Sequence, residues 1–347
     1  MATSPSDQAG LTGQADPTQP RLVDRFGRVA TDLRVSLTDR CNLRCTYCMP
    51  AEGLDWMPGD EVLADDEVVR LIGVATGLLG VREVRFTGGE PLVRRGLIPI
   101  IERTRALAPD AELSITTNAL GLARTAEALA EAGLNRVNVS LDSIRAETFA
   151  QITRRDRLHD VIAGLEAAAA AGLGPVKINA VLLRGVNDDQ AAELLAWAVE
   201  RGYELRFIEQ MPLDAQHGWS RDNMVTADET LAALSEAFDL SPAEEPRGSA
   251  PAELFRVDGS AAKVGIIASV TRPFCGDCDR VRLTADGQVR DCLFARSESD
   301  LRTPLRAGAS DADLASRWVT AMAGKRAGHG IDDLGFLQPD RPMSAIG

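Results

Sequence analysis

Six cysteines stand in two close groups, and no other residues in the chain are so plainly a set of ligands. Cys41, Cys45 and Cys48 are spaced Cys-x3-Cys-x2-Cys in Cys41-Asn42-Leu43-Arg44-Cys45-Thr46-Tyr47-Cys48. Cys275 and Cys278 are spaced Cys-x2-Cys, and Cys292 follows after thirteen intervening residues. An even number of cysteines admits disulfides, but two tight triplets in a long chain without a secretory leader favour thiolate–metal ligation in a reducing compartment. A four-iron cubane offers one ligand position per iron, so three thiolates leave one iron open to a substrate or cofactor, as a catalytic zinc keeps an open position. Zinc is the competing ion, and its fourth ligand would have to come from His159, His217 or His329, the only histidines. Alone, the second triplet reads equally well as a zinc knuckle. Beside the first, it uses up every remaining cysteine.

The elements that position these groups follow an alternating rhythm. Short β-branched runs at 32–37, 83–87, 112–117, 136–141, 176–183 and 204–210 predict strands. Amphipathic Ala/Leu-rich runs at 66–79, 95–107, 125–132, 160–171 and 189–201 predict helices between them. Such alternation makes parallel βαβ units. Six units are too few to close an eight-stranded barrel, so an open three-quarter barrel and a doubly wound sheet both fit. The first triplet follows the first strand, at the carboxyl end where such folds place their chemistry.

The rhythm breaks after Pro212. Residues 241–252 read as a loop, and Asp258-Gly259 and Asp286-Gly287 each predict a β-hairpin. Helices are expected over 300–307 and 311–323. Residues 1–20 are too polar to bury a core and read as a disordered leader. The last ten residues carry two prolines and no helical period, and are expected to form no regular element.

The net charge of -13 argues against sequence-independent nucleic-acid binding and against an anionic membrane surface. No run of eighteen uncharged apolar residues predicts a membrane span, and a cytoplasmic location is expected. An anionic small molecule would need a local cluster of basic residues.

The first triplet, followed after the next strand by Thr87-Gly88-Gly89-Glu90-Pro91, resembles the radical S-adenosylmethionine superfamily. Three longer stretches sharpen the match: 33–42 (Leu-Arg-Val-Ser-Leu-Thr-Asp-Arg-Cys-Asn), 207–212 (Phe-Ile-Glu-Gln-Met-Pro) and 273–283 (Pro-Phe-Cys-Gly-Asp-Cys-Asp-Arg-Val-Arg-Leu). With them the chain, from about residue 21 to 347, resembles the GTP 3′,8-cyclase family of molybdenum-cofactor biosynthesis.

The resemblance implies a partial, three-quarter TIM-type (β/α)6 barrel over 21–212. A smaller C-terminal α+β region, 213–347, would cover its open side and carry the second cluster. It implies a lyase with two [4Fe–4S] clusters, on Cys41, Cys45 and Cys48 and on Cys275, Cys278 and Cys292. S-Adenosylmethionine on the first would yield a 5′-deoxyadenosyl radical that takes hydrogen from C3′ of GTP, after which C3′ attacks C8. Tyr47, Gly89, Ser140 and Met211 would contact S-adenosylmethionine, with Gly88 and Gly89 letting the backbone approach its amino group. Arg34, Arg85, Thr116, Lys177, Arg280 and Arg282 would contact GTP; alternation along a strand places Arg280 and Arg282 on one face. A one-electron reductant such as flavodoxin or ferredoxin and a homodimer are also implied. Beyond the clusters no catalytic side chain is implied except in the tail, whose end, Gly347, would reach the active site.

Two features depart from the family pattern. Arg154 stands where a glycine is expected, and one terminal glycine stands where two are usual. The alternatives are a peptide-modifying radical enzyme with an auxiliary cluster, and an iron–sulfur electron-transfer protein without turnover. The first usually carries more C-terminal cysteines, and the second has no use for a Gly-Gly-Glu loop.

Overall fold

The structure, a computed structural model, describes residues 20–347; the leader expected over 1–20 lies almost wholly outside the described residues. Six strands alternate with helices: β1 (Asp32–Ser36), β2 (Glu83–Thr87), β3 (Glu112–Thr117), β4 (Arg136–Ser140), β5 (Lys177–Val181) and β6 (Glu204–Ile208). The helices between them are α1 (Asp65–Leu78), α2 (Leu97–Leu107), α3 (Ala126–Glu131), α4 (Ala146–Thr153), α5 (Leu158–Ala170) and α6 (Ala191–Glu200). Each strand is short and β-branched, with one face to the helices and the other to the barrel interior. The helices bury Val, Leu, Ile and Ala against the sheet in one continuous core. Three acidic residues open α1, where the helix dipole favours them, and Glu67 accepts the Ala64 N–H at 2.7 Å.

Beyond Pro212 the chain forms α7 (Ala227–Ser235), β7 (Leu240–Pro242), β8 (Glu253–Val257), β9 (Lys263–Ile267), β10 (Arg280–Leu283), β11 (Gln288–Arg290) and β12 (Ser299–Asp300). Helices α8 (Arg302–Arg306), α9 (Asp311–Ala323) and the single turn α10 (Met343–Ile346) follow. The strands form one sheet in the order β12-β11-β10-β1-β2-β3-β4-β5-β6-β9-β8-β7, and it does not close. β10 pairs in parallel with β1, and β9 with β6. The open partial barrel is thus extended at both edges by the C-terminal region, whose second cysteine triplet flanks β10 and β11.

Both Asp-Gly pairs are hairpin turns, joining β8 to β9 and β10 to β11. Asp258 and Gly259 both have positive φ, 51° and 63°, as a tight two-residue turn requires. Helices α4 and α7 lie where no element was expected. The local signal for α7 is a capping box, Thr226 with Glu229. The expected loop over 241–252 begins inside β7, because an edge strand tolerates Pro242. The tail also departs from expectation: it forms α10, because residues 343–346 follow Pro342 and are packed against the core.

Candidate active site

One cavity of about 380 Å³ opens between the barrel interior and the C-terminal region, and all six cysteines line it. None is in a disulfide. Arg34, Tyr47, Arg85, Gly88, Gly89, Thr116, Ser140, Met211, Arg280, Arg282 and Gly347 also line it. Lys177 does not; it opens β5, in register with Asn138 and Glu204, at the amino-terminal end of the strands.

The first triplet lies on the loop after β1, and neighbouring backbone holds that loop. Gly89 N–H donates to Thr38 O at 2.7 Å and Glu90 N–H to Arg40 O at 2.8 Å. A Cβ on Gly88 would stand 2.3 Å from Thr38 O, and one on Gly89 2.3 Å from Arg40 O. The glycine pair is therefore required for packing β2 against the cysteine loop, a reason separate from cofactor clearance. On the other side, Arg44 and Thr46 N–H donate to the carbonyls of Thr153 and Ile152. Arg154 takes the left-handed conformation a glycine would take, with φ 55°. Its guanidinium donates at 3.0 Å to the carbonyls of both Arg44 and Met49, strapping the loop at either end.

Burial raises the Cys41 and Cys45 thiols above their ordinary range and pushes Cys48 up to about 12. Nearby acids add to this: Glu90 at Cys41, Asp142 at Cys45, and Asp214, after Cys41 itself, at Cys48. Such thiols ionise readily only when a metal takes the charge. Among the described residues, no three Cys, His, Asp or Glu side chains close around a single ion position. His159 and His217 are exposed, and both ring nitrogens of His329 are engaged, by Ser269 O and Ile331 N–H.

Between the triplets lies a basic floor. Parallel pairing aligns Arg282, Arg34 and Arg85 side by side on β10, β1 and β2, with Arg280 next to Asp32. Asp32 stands 3.6 Å from Arg34 and 3.9 Å from Arg85. Burial would raise its pKa, but Arg34, Arg85, Arg280 and Arg282 together hold it below the usual carboxylate value. The same crowding, after burial, pushes Arg85 down to about 9 and Arg282 well below the guanidinium range. Four cations share Asp32, with Asp279 3.4 Å from Arg280. Arg34 Nε is buried with no hydrogen-bond partner. In a chain of net charge -13 this is a local surplus of positive charge, and it suits a polyanion.

The tail enters the same cavity. Ala345 and Ile346 are buried, and Met343 N–H donates to Leu213 O at 3.1 Å. The Ser344 N–H bonds to Cys48. A Cβ on Gly347 would meet Thr87 at 2.5 Å and Ser36 at 2.6 Å. Arg282 donates to Gly347 O, while Arg280 donates to Ser249 O. The two guanidiniums share a strand face, and each is engaged within the protein.

Sequence reasoning missed several residues at this site. Arg206, Asn138 and Asn179 line the cavity, and inward alternation along β4, β5 and β6 was the available signal. Asp142 also lines it, two residues beyond Ser140. Lys325, buried behind the second triplet, carried no local signal.

Residues 35–198 match the family model of the Radical SAM superfamily, and residues 203–331 match Molybdenum Cofactor Synthesis C. The chain is 64% identical over 327 residues to the GTP 3′,8-cyclase of Streptomyces coelicolor, covering 94% of this chain and 96% of that protein. It is 60% identical over 335 residues to the GTP 3′,8-cyclase of Mycolicibacterium smegmatis, covering 95% and 93%. The crystal structure of Streptococcus suis SuiB superposes with a TM-score of 0.60 at 14% identity, over 86% of this chain and 68% of that one, a likeness of fold.

Proposed function

The chain belongs to the GTP 3′,8-cyclase family of the radical S-adenosylmethionine superfamily, and from that premise we propose that its two cysteine triplets hold two [4Fe–4S] clusters with the GTP site between them. As a family member it converts GTP to 3′,8-cyclo-7,8-dihydro-GTP in molybdenum-cofactor biosynthesis, using S-adenosylmethionine and an iron–sulfur cluster. Once bound, the first cluster and S-adenosylmethionine supply the radical that removes a hydrogen from the substrate. The peptide-modifying and electron-transfer alternatives give way to relatives matched across nearly the whole chain.

The observation that carries the two-site reading is a single cavity with one free cysteine triplet on each side and four guanidiniums around one carboxylate between them. Both triplets fit the group: each offers three thiols, and neither has a free histidine beside it to complete a zinc site. Arg34, Arg85, Arg280 and Arg282 are assigned to the triphosphate, with Thr116 completing the contacts inside the cavity and Lys177, outside its lining but near Arg206 and Arg85, reaching GTP from the amino-terminal end of β5. Tyr47, Gly89, Ser140 and Met211 are assigned to S-adenosylmethionine. Gly347, packed against the β1 and β2 ends, narrows the space beside the substrate and excludes water from it. A one-electron donor such as flavodoxin or ferredoxin completes the reading.

Anaerobically reconstituted chain is expected to bind about eight irons, four per cluster. Cys45→Ala should abolish S-adenosylmethionine cleavage, whereas Cys292→Ala should spare cleavage more than cyclisation. About four irons with zinc in the second triplet, or equal loss of cleavage in both folded variants, would overturn the assignment.

A further inference from the structure

Lys325 is 2% exposed, and among the described residues no carboxylate lies within ion-pair distance of it. Its ammonium instead donates to Arg280 O at 2.8 Å, Cys278 O at 3.3 Å and the Cys278 sulfur at 3.4 Å. A buried ammonium is held in place when its hydrogen bonds reach an anion. The only anion its three bonds can serve is the Cys278 thiolate, and through it whatever that thiolate binds. Behind Cys275, Arg28 donates to the Cys275 carbonyl at 2.5 Å. The second triplet is thus backed by Lys325 and Arg28, with Asp291 beside Cys292 as the opposing carboxylate, whereas Glu90, Asp142 and Asp214 neighbour the first.

On the reading that the second triplet holds an iron–sulfur cluster, we propose that Lys325 is that cluster's counter-charge and sets its reduction potential above the value the cysteines alone would give. Reduction adds one negative charge to a cluster. A fixed ammonium bonded to one of its thiolates stabilises the reduced form more than the oxidised form. The carboxylates at the first triplet act in the opposite sense. Lys325 is a positioning and tuning residue; it does not touch substrate.

The test is a potentiometric titration of the reconstituted full-length holoenzyme, followed by electron paramagnetic resonance, with iron and zinc measured on the same samples. The wave that moves when S-adenosylmethionine is added belongs to the first cluster, and the other to the second. In Lys325→Met the second wave should move to lower potential. At a fixed potential its ratio of reduced to oxidised cluster should fall roughly tenfold or more, as expected for a unit charge at this range in a partly screened interior. The first wave should stay in place. Lys325→Arg should restore the wild-type position. Lys325→Gln retains donors to the two carbonyls without the charge, so it should follow Lys325→Met and serves if the methionine variant does not fold. Unmoved second waves in the neutral variants, with about eight irons retained, would overturn the role of Lys325 alone. Wild-type chain with zinc in the second triplet would overturn the cluster reading and this inference with it.

Discussion

The Tyr47 hydroxyl donates to Asp142 Oδ2 at 2.8 Å, joining the first cysteine loop to the carboxyl end of β4. The other oxygen of Asp142 accepts the Val181 N–H, also at 2.8 Å, so one buried carboxylate fixes the tyrosine to two strands. Burial pushes Asp142 up to about 6, although both bonds pull it down by favouring the charged form. Asp142→Asn leaves one acceptor and a misplaced donor facing two donors. A bond to a charged group contributes about 1.5–3 kcal/mol, so S-adenosylmethionine affinity should fall roughly tenfold or more. Anaerobic calorimetry on the variant with its iron content intact checks this; unchanged affinity would remove Asp142 from the positioning of Tyr47.

Arg280 and Arg282 separate two functions. Both are assigned to GTP, but Arg282 also holds Gly347 O. Replacing either by Ala should weaken GTP binding roughly 10–150-fold, the range for one charge-assisted contact. S-Adenosylmethionine binding should hardly change. Equilibrium binding of GTP to the two variants decides, and wild-type affinity in both would leave them as structural partners of the tail and of Ser249.

Deleting Ala345–Gly347 removes the chain from between Thr87 and Ser36 and frees Arg282. Folding, iron content and S-adenosylmethionine cleavage should persist, while cyclised product falls sharply. Equal product from the shortened and intact chains would make the tail a spectator.

Glu90 gives a pH signature. Burial raises it from 4.5 to about 7, against bonds from the Asn118 and Leu92 N–H groups and the Thr117 hydroxyl. Between these two values the folded chain binds more protons than the unfolded chain at this site, so stability falls as pH rises through that window. In the metal-free protein Glu90→Gln should flatten that part of the stability–pH curve, as read by chemical denaturation at several pH values. A curve parallel to wild type would contradict the buried-acid assignment.

Much of the barrel was legible because β2 and β3 each begin and end on a local pattern, and both match their expected bounds. The joining of β10 to β1 and β9 to β6 was not, since pairing across so many residues leaves no local signal. The cysteines announced themselves by type and spacing. Arg154 did not: an arginine in the left-handed region costs roughly 1–2 kcal/mol, and only the two carbonyls it reaches explain it. The tail's arrival in the cavity follows the family resemblance, but its helical turn was missed for a similar reason. Its two prolines leave no helical period, whereas its packing comes from Leu213, Phe294 and Arg282, all far away in sequence. Lys325 lacks any sequence neighbour that would mark it, since its partners are Cys278 and Arg280.

The central claim, cyclisation of GTP by this chain, is tested most directly by anaerobic incubation with GTP, S-adenosylmethionine and a strong one-electron reductant, followed by mass analysis. GTP gives up one hydrogen to 5′-deoxyadenosine and regains an electron and a proton. The account therefore predicts a product with the mass of GTP but a different retention time, with 5′-deoxyadenosine and methionine formed alongside. GTP recovered unchanged, with 5′-deoxyadenosine formed at the same rate whether or not GTP is present, would contradict it.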